Sequence, residues 1–155
     1  MAGDAELEAA GFRQHHVDAR RLNIVHQQDI RKLGPFCRLD VATPLEVPLQ
    51  PGVYAWVTDG EVRYAGHASV LRQIVNGTRM DRAYNDYTYV PPSKPWQTSS
   101  PRVYVNGLLN AAFVRGERVT WWWRAEPTVL DAKRLEARLI ATWNPPWNRA
   151  RPVVW

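Results

Sequence analysis

The sequence predicts a mixed α/β fold, with a small, mainly antiparallel three-stranded sheet flanked by helices and an N-terminal helical extension. Three observations predict it. Residues 51–69 alternate as two strands around Asp59-Gly60, and three consecutive tryptophans mark a third strand. Segments with apolar residues three and four apart lie between and after them.

In the first hairpin strand Val53, Ala55 and Val57 alternate with Tyr54, Trp56 and Thr58, the period of a half-buried strand. Asp59-Gly60 supplies the two residues that most readily take positive φ, as a tight hairpin turn requires. Val62 and Tyr64 restart the alternation, and Gly66 ends it. Each strand thus carries a tyrosine near a glycine. The short turn lets the two phenols converge, while Gly52 and Gly66 leave room for a backbone or ligand to approach. Tyrosine is also a good strand residue, so the hairpin alone is better explained by plain structure.

Residues 4–10 and 17–33 read as helical, with Leu22, Val25, Ile30 and Leu33 near one face and Gly34-Pro35 as the stop. Pro44, Pro48 and Pro51 then punctuate an extended linker. The expected division is therefore an extension and linker over residues 1–48 and a main domain over 49–155. After the hairpin, Ser69 caps a helix through Val70, Leu71, Ile74 and Val75 that Asn76-Gly77 ends. Residues 79–103 carry Pro91, Pro92, Pro95 and Pro101 and read as an inserted loop, too aromatic for full disorder. A second amphipathic helix covers residues 105–114. Trp121, Trp122 and Trp123 form a strand buried on both faces, one indole lying near the binding surface. Thr128 caps a last helix with Leu130, Leu135, Leu139 and Ile140 as its apolar side, and Asn144-Pro145-Pro146 breaks it.

At 155 residues the chain has room for one domain with its own core. Its first dozen residues are charged and lack a continuous apolar run, which argues against a signal peptide or membrane span. Cys37 is the single cysteine, which excludes an internal disulfide and a multi-cysteine zinc site and points to a reducing, cytoplasmic location. His15, His16 and His26 have no cysteine or carboxylate at ligand-like spacing and read as structural. The net charge of +5 is uneven: residues 1–48 carry six Lys/Arg against seven Asp/Glu, whereas residues 63–124 carry nine against three. Tyr84, Tyr87, Tyr89, Trp96 and Tyr104 fall in that basic region, a pattern that suits a polyanion with stackable bases.

Glu136 stands at the edge of the last helix's apolar stripe. A carboxylate there either pairs with an arginine or holds a metal. Arg134 and Arg138 flank it in sequence but point to other sides of a helix. Asn148 follows twelve residues later, past a proline stop that can fold it back.

Gly52-Val53-Tyr54, Tyr64-Ala65-Gly66 ten residues on, Glu136-Ala137-Arg138-Leu139-Ile140 and Asn148 after Pro145-Pro146-Trp147 together resemble the GIY-YIG nuclease superfamily. That superfamily includes the incision subunit of nucleotide-excision repair, homing endonucleases and some restriction enzymes. The resemblance covers residues 51–148. It implies hydrolysis of a DNA phosphodiester with a single divalent ion, Mg²⁺ or Mn²⁺, held by Glu136, and with no small-molecule cofactor. Tyr54 is then the candidate general base, with Tyr64 supporting the water or phosphate. A phenol of ordinary pKa about 10 must be lowered by nearby cations to serve as a base. Asn148 orients groups around the cleavage site. His67, where relatives often carry lysine, assists Tyr54 or contacts phosphate.

One departure stands out. Relatives carry an arginine clamp ten residues after the second tyrosine, and this chain has Ile74 there. Arg72 lies about 200° around a helix from it, which leaves Arg79 or Arg82 to approach from the loop. That loop is also the expected DNA-contacting element, with Arg82, Tyr84, Tyr87, Lys94 and Arg102. A chain of this size without a separate DNA-reading domain resembles the restriction-enzyme branch, which implies a homodimer because two strands need two sites. The alternative is a domain of this fold that binds nucleic acid or protein without cutting. A nuclease acting as a toxin or on RNA is the third possibility.

Overall fold

A computed structural model describes residues 2–21, 37–75 and 101–149. The described elements are α1 (Asp4–Ala9), β1 (Arg13–Arg21), β2 (Cys37–Val41), a 3₁₀ turn (Pro44–Glu46), β3 (Gly52–Thr58) and β4 (Glu61–Ala68). There follow α2 (Leu71–Val75), α3 (Pro101–Val114), β5 (Val119–Ala125), α4 (Val129–Trp143) and α5 (Pro146–Arg149). The described strands form one five-stranded antiparallel sheet in the order β2-β1-β5-β3-β4.

The mixed α/β class and the antiparallel hairpin agree with the sequence reading, but the sheet is wider than the three strands expected. Helix α1 forms as expected, whereas the helix expected over residues 17–33 is strand β1 through Arg21. The rest of that segment, residues 22–33, lies outside the described residues. The expected linker contains β2, so the N-terminal segment is part of the sheet rather than a helical extension. The physical reason is alternation: Val17 and Ala19 pack on the core while His16 and Asp18 face outward, a period of two within a stretch too polar to display it. Most of the expected loop 79–103 lies outside the described residues, and its last three residues are the first turn of α3. Pro101 starts that helix, where its missing N–H costs nothing.

Two apolar layers sandwich the sheet. Tyr54, Trp56, Trp121 and Trp123 face α2 and α3, through Leu71, Ile74, Val75, Val105, Leu109 and Ala112. Val53, Ala55, Val57, Val62 and Trp122 face α1 and α4, through Leu7, Ala132, Leu135 and Leu139. Strand β3 is therefore buried on both faces, where alternation alone predicts a half-buried strand. All three tryptophans of β5 are buried, none remaining at a surface. Trp123 Nε1–H donates to His15 Nε2 at 2.8 Å, and since an indole can only donate, His15 presents its Nδ1–H to the Ala42 carbonyl at 2.9 Å. His15 is thus a core residue, and His16 an exposed partner of Asp18.

Local signals end the elements as expected. Asp59 (φ 47°) and Gly60 (φ 75°) make the hairpin turn. Thr128 Oγ1 accepts from Asp131 N–H at 3.1 Å, and Asn144 closes α4 in the left-handed region at φ 49°.

The sheet's two edges are closed in the same way. At the β2 edge, Asn106 of α3 accepts from Cys37 N–H (3.2 Å) and donates to Cys37 C=O (2.8 Å). At the β4 edge, Asn148 of α5 accepts from Ala65 N–H and donates to Ala65 C=O, both at 2.8 Å. A side-chain amide has the donor and acceptor of a peptide group, so each asparagine supplies one residue of a missing neighbouring strand.

Burial pushes the Cys37 thiol up from its ordinary 9.0 to about 12. The native thiol will therefore resist a thiol-specific reagent at pH 8 until urea unfolds the chain. The unfolded state loses this proton first. The stabilisation is complete below pH 9 and is lost as pH rises from 9 toward 12, a slope that Cys37→Ala will remove from urea titrations.

Candidate active site

The hairpin register decides which way each candidate side chain points. Tyr54 pairs with Gly66, Trp56 with Tyr64, and Val57 with Val62, so Arg63 is the extra residue of a bulge. Without it, strict alternation from Val62 would place Val62 and Tyr64 on the same face. With it, Val62 joins the α4 layer and Tyr64 turns to the Tyr54 side. The tyrosine rings lie 6.4 Å apart at 40°, and Tyr54 also stacks on Trp121 at 5.9 Å. The expected convergence of two phenols is therefore present.

The two glycines give their space to the protein itself. A Cβ on Gly66 would lie 2.6 Å from the ring carbon and hydroxyl of Tyr54. One on Gly52 would lie 2.4 Å from the Arg124 carbonyl and from a Leu71 methyl. Tyr54 thus lies across Gly66, buried to 1% exposure, whereas Tyr64 is only half-buried.

His67 pairs with Val53 and so points to the opposite face of the hairpin, toward α4. There its Nδ1 contacts Glu136 Oε2. Both side chains keep some access, 34% for His67 and 23% for Glu136. The carboxylate's partner is thus a histidine three residues beyond Tyr64, not one of the arginines beside it on the helix. The odd spacing from Tyr64 to His67 puts the two on opposite faces of the strand, though it does not name the partner.

Asn148 holds the strand between these two faces. Asn144 in the left-handed region turns the chain out of α4, and α5 then folds around the edge of β4. Its Trp147 packs against the layer that contains Tyr64, while Asn148 grips the Ala65 backbone. Residues Tyr64, Ala65, Gly66 and His67 are therefore reached from both faces and from the edge.

The cationic candidates are not gathered there among the described residues. Arg72 Nε donates to the Val47 carbonyl at 2.7 Å, which ties α2 to the 3₁₀ turn. Ile74 is buried under the sheet. Arg102 lies in the first turn of α3, and Arg79, Arg82, Tyr84, Tyr87 and Lys94 lie outside the described residues. Among the described residues no three His, Cys, Asp or Glu side chains are grouped for a metal ion, and no helix is long and apolar enough to cross a membrane.

No family model and no curated protein matches this chain. Among solved structures, it is similar to a mutant of bacteriophage T4 EndoII, with 17% identity and a TM-score of 0.54 over 96% of this chain and 99% of that one. The fold is that of the GIY-YIG nucleases. A second similar structure is the GIY-YIG N-terminal endonuclease domain of UvrC from Thermotoga maritima, bound to magnesium. It has 23% identity and a TM-score of 0.41, covering 79% of this chain and 99% of that one. In the GIY-YIG frame the first motif is β3 and the second is β4, so the hairpin that carries them is the sheet's inner strand and its edge.

Gly66→Ala will cost about 1–3 kcal/mol, because its methyl and the Tyr54 phenol claim the same space. Urea unfolding in a Tyr54→Ala background tests this. The cost should fall to a few tenths there, and an undiminished cost would place its origin elsewhere.

Proposed function

We propose that the chain is a metal-dependent DNA endonuclease that hydrolyses phosphodiester bonds at the edge of β4. The observation that carries this reading is the convergence of groups distant in sequence on Tyr64, Ala65, Gly66 and His67. Tyr54 and Tyr64 meet on one face, Glu136 reaches the other, and Asn148 closes the edge. The GIY-YIG fold supports it, as does the carboxylate, since an oxygen donor beside solvent suits Mg²⁺ or Mn²⁺ completed by water.

Among the described residues only Oε2 of Glu136 is engaged, and the carboxylate retains access to solvent, so the donor chemistry fits a divalent ion. Bound there, the ion would neutralise charge on the scissile phosphate and leaving oxygen. Exposure reverses the roles that the resemblance implies for the two tyrosines, since Tyr54, the expected base, is buried and Tyr64 is not. Tyr64, half-buried, takes the proton from the attacking water. Tyr54, packed across Gly66, holds the Tyr64 ring and presents its own hydroxyl from behind. Asn148 acts as a positioning residue, keeping the Ala65 backbone and hence both neighbouring side chains in place. The basic, aromatic stretch of residues 79–103 is the proposed DNA contact, and cutting both strands implies a homodimer, the mode of a restriction enzyme.

A second reading is that the domain binds nucleic acid without cutting it. The burial of Ile74 and the tether of Arg72 favour it, since both remove a cation from the side where the phosphate clamp is expected.

Incubating supercoiled plasmid with the full chain and Mg²⁺ or Mn²⁺ will give nicked or linear DNA, abolished by EDTA and by Glu136→Gln. Tyr64→Phe should lower the rate on the order of 10²–10⁴, with Tyr54→Phe less damaging. Binding with a steep salt dependence and no cleavage in either metal would establish the second reading.

A further inference from the structure

His67 and Glu136 belong to different elements, an edge strand and the helix packed on it, and each is locked from behind. Strand β4 is paired to β3 at His67 and gripped by Asn148 two residues away. Helix α4 is anchored by Leu135 and Leu139 on either side of Glu136. Two side chains so held keep one mutual geometry with little further loss of conformational entropy. Yet the hydrogen bond they make is partly open to solvent, where such a pair contributes little to stability. Among the described residues neither side chain has another polar partner. The nitrogen and the oxygen are neighbours, so an ion entering between them needs only a small separation to meet both.

We propose that His67 is a second protein ligand of the divalent ion held by Glu136, which makes this a mixed nitrogen and oxygen site. The inference rests on the proposal that an ion binds at Glu136, but not on DNA cleavage. Among the described residues no third His, Cys, Asp or Glu joins the pair, which would leave positions on the ion open to water or a phosphate oxygen. Its consequence is selectivity. Mg²⁺ takes oxygen ligands and gains little from imidazole, whereas Mn²⁺, Co²⁺ and Zn²⁺ accept nitrogen readily. The site therefore prefers transition metals over Mg²⁺, unlike one built on a carboxylate and water alone.

The alternative role for His67 is to orient Glu136 by a hydrogen bond. Removing such a partner can itself weaken metal binding on the order of 10–100-fold, so loss of affinity alone does not separate the two roles. Selectivity and nitrogen coordination do. The test uses the full chain without DNA, as wild type, His67→Ala, His67→Gln and Glu136→Gln, each first checked for an unchanged unfolding midpoint. Mn²⁺ binding is followed by the loss of its free electron paramagnetic signal, Mg²⁺ binding by calorimetry, and directly bound nitrogen by ¹⁴N coupling in pulsed spectra of the Mn²⁺ form. The expected results are ¹⁴N coupling in wild type that both His67 variants lack, and a preference for Mn²⁺ over Mg²⁺ that falls about tenfold in them. Glu136→Gln should weaken both ions. Absence of ¹⁴N coupling in wild type, or equal loss of Mn²⁺ and Mg²⁺ affinity in the His67 variants, overturns the proposal. Metal binding with ¹⁴N coupling but no plasmid cleavage would support this site while removing the nuclease reading.

Discussion

The placement of every candidate side chain depends on the register of β4 against β3, and that register carries a single extra residue. Because strand side chains alternate, a one-residue shift exchanges faces for everything beyond it. Arg63 supplies the shift and is itself held by Thr58 and Glu61, its Nε donating to Thr58 Oγ1 at 2.8 Å. Val62 consequently seals the α4 layer, while Tyr64 stands with Tyr54 and His67 opposite Glu136. Bulges are common beside functional sites for this reason: they re-aim a side chain without disturbing the sheet.

An edge strand is a hazardous place for such a cluster, since its outward N–H and C=O groups invite another chain. The sheet meets this at both edges with an asparagine from a helix, Asn106 on β2 and Asn148 on β4. Between these edges the stiffness comes from β5, whose tryptophans bury large rings on both faces of the central strand. Tyr54 stacks on one of those rings, so the phenol is supported through to the middle of the sheet. The site is an edge feature braced by the core.

The chemistry divides across the β4 edge. One face offers phenols over apolar packing, and the other a carboxylate with an imidazole. A phosphodiester lying along the edge would meet both, as an in-line displacement requires groups on the attacking and leaving sides. Arg72 is tied to Val47 and the neighbouring helical position is the buried Ile74. In the proposed reaction, charge neutralisation would therefore rest on the proposed ion at Glu136.

Much of this was legible in the residues themselves. The β3–β4 hairpin, its Asp59-Gly60 turn, the capping Thr128 and the breaking Asn144 are local signals, set by φ preference, alternation and helix-end hydrogen bonding within a few residues. The resemblance of the motifs to those of the GIY-YIG nucleases likewise groups Tyr54, Tyr64, Glu136 and Asn148. Strand β1 was not legible, because its inward Val17 and Ala19 are too few to outweigh the polar residues between them, and only pairing with β5 makes it a strand. Nor was the bulge at Arg63, the grip of Asn148 on Ala65, or the meeting of His67 with Glu136. Each joins groups far apart in the chain or depends on a strand's partner, and local preference holds no information about a neighbour that only folding brings into contact.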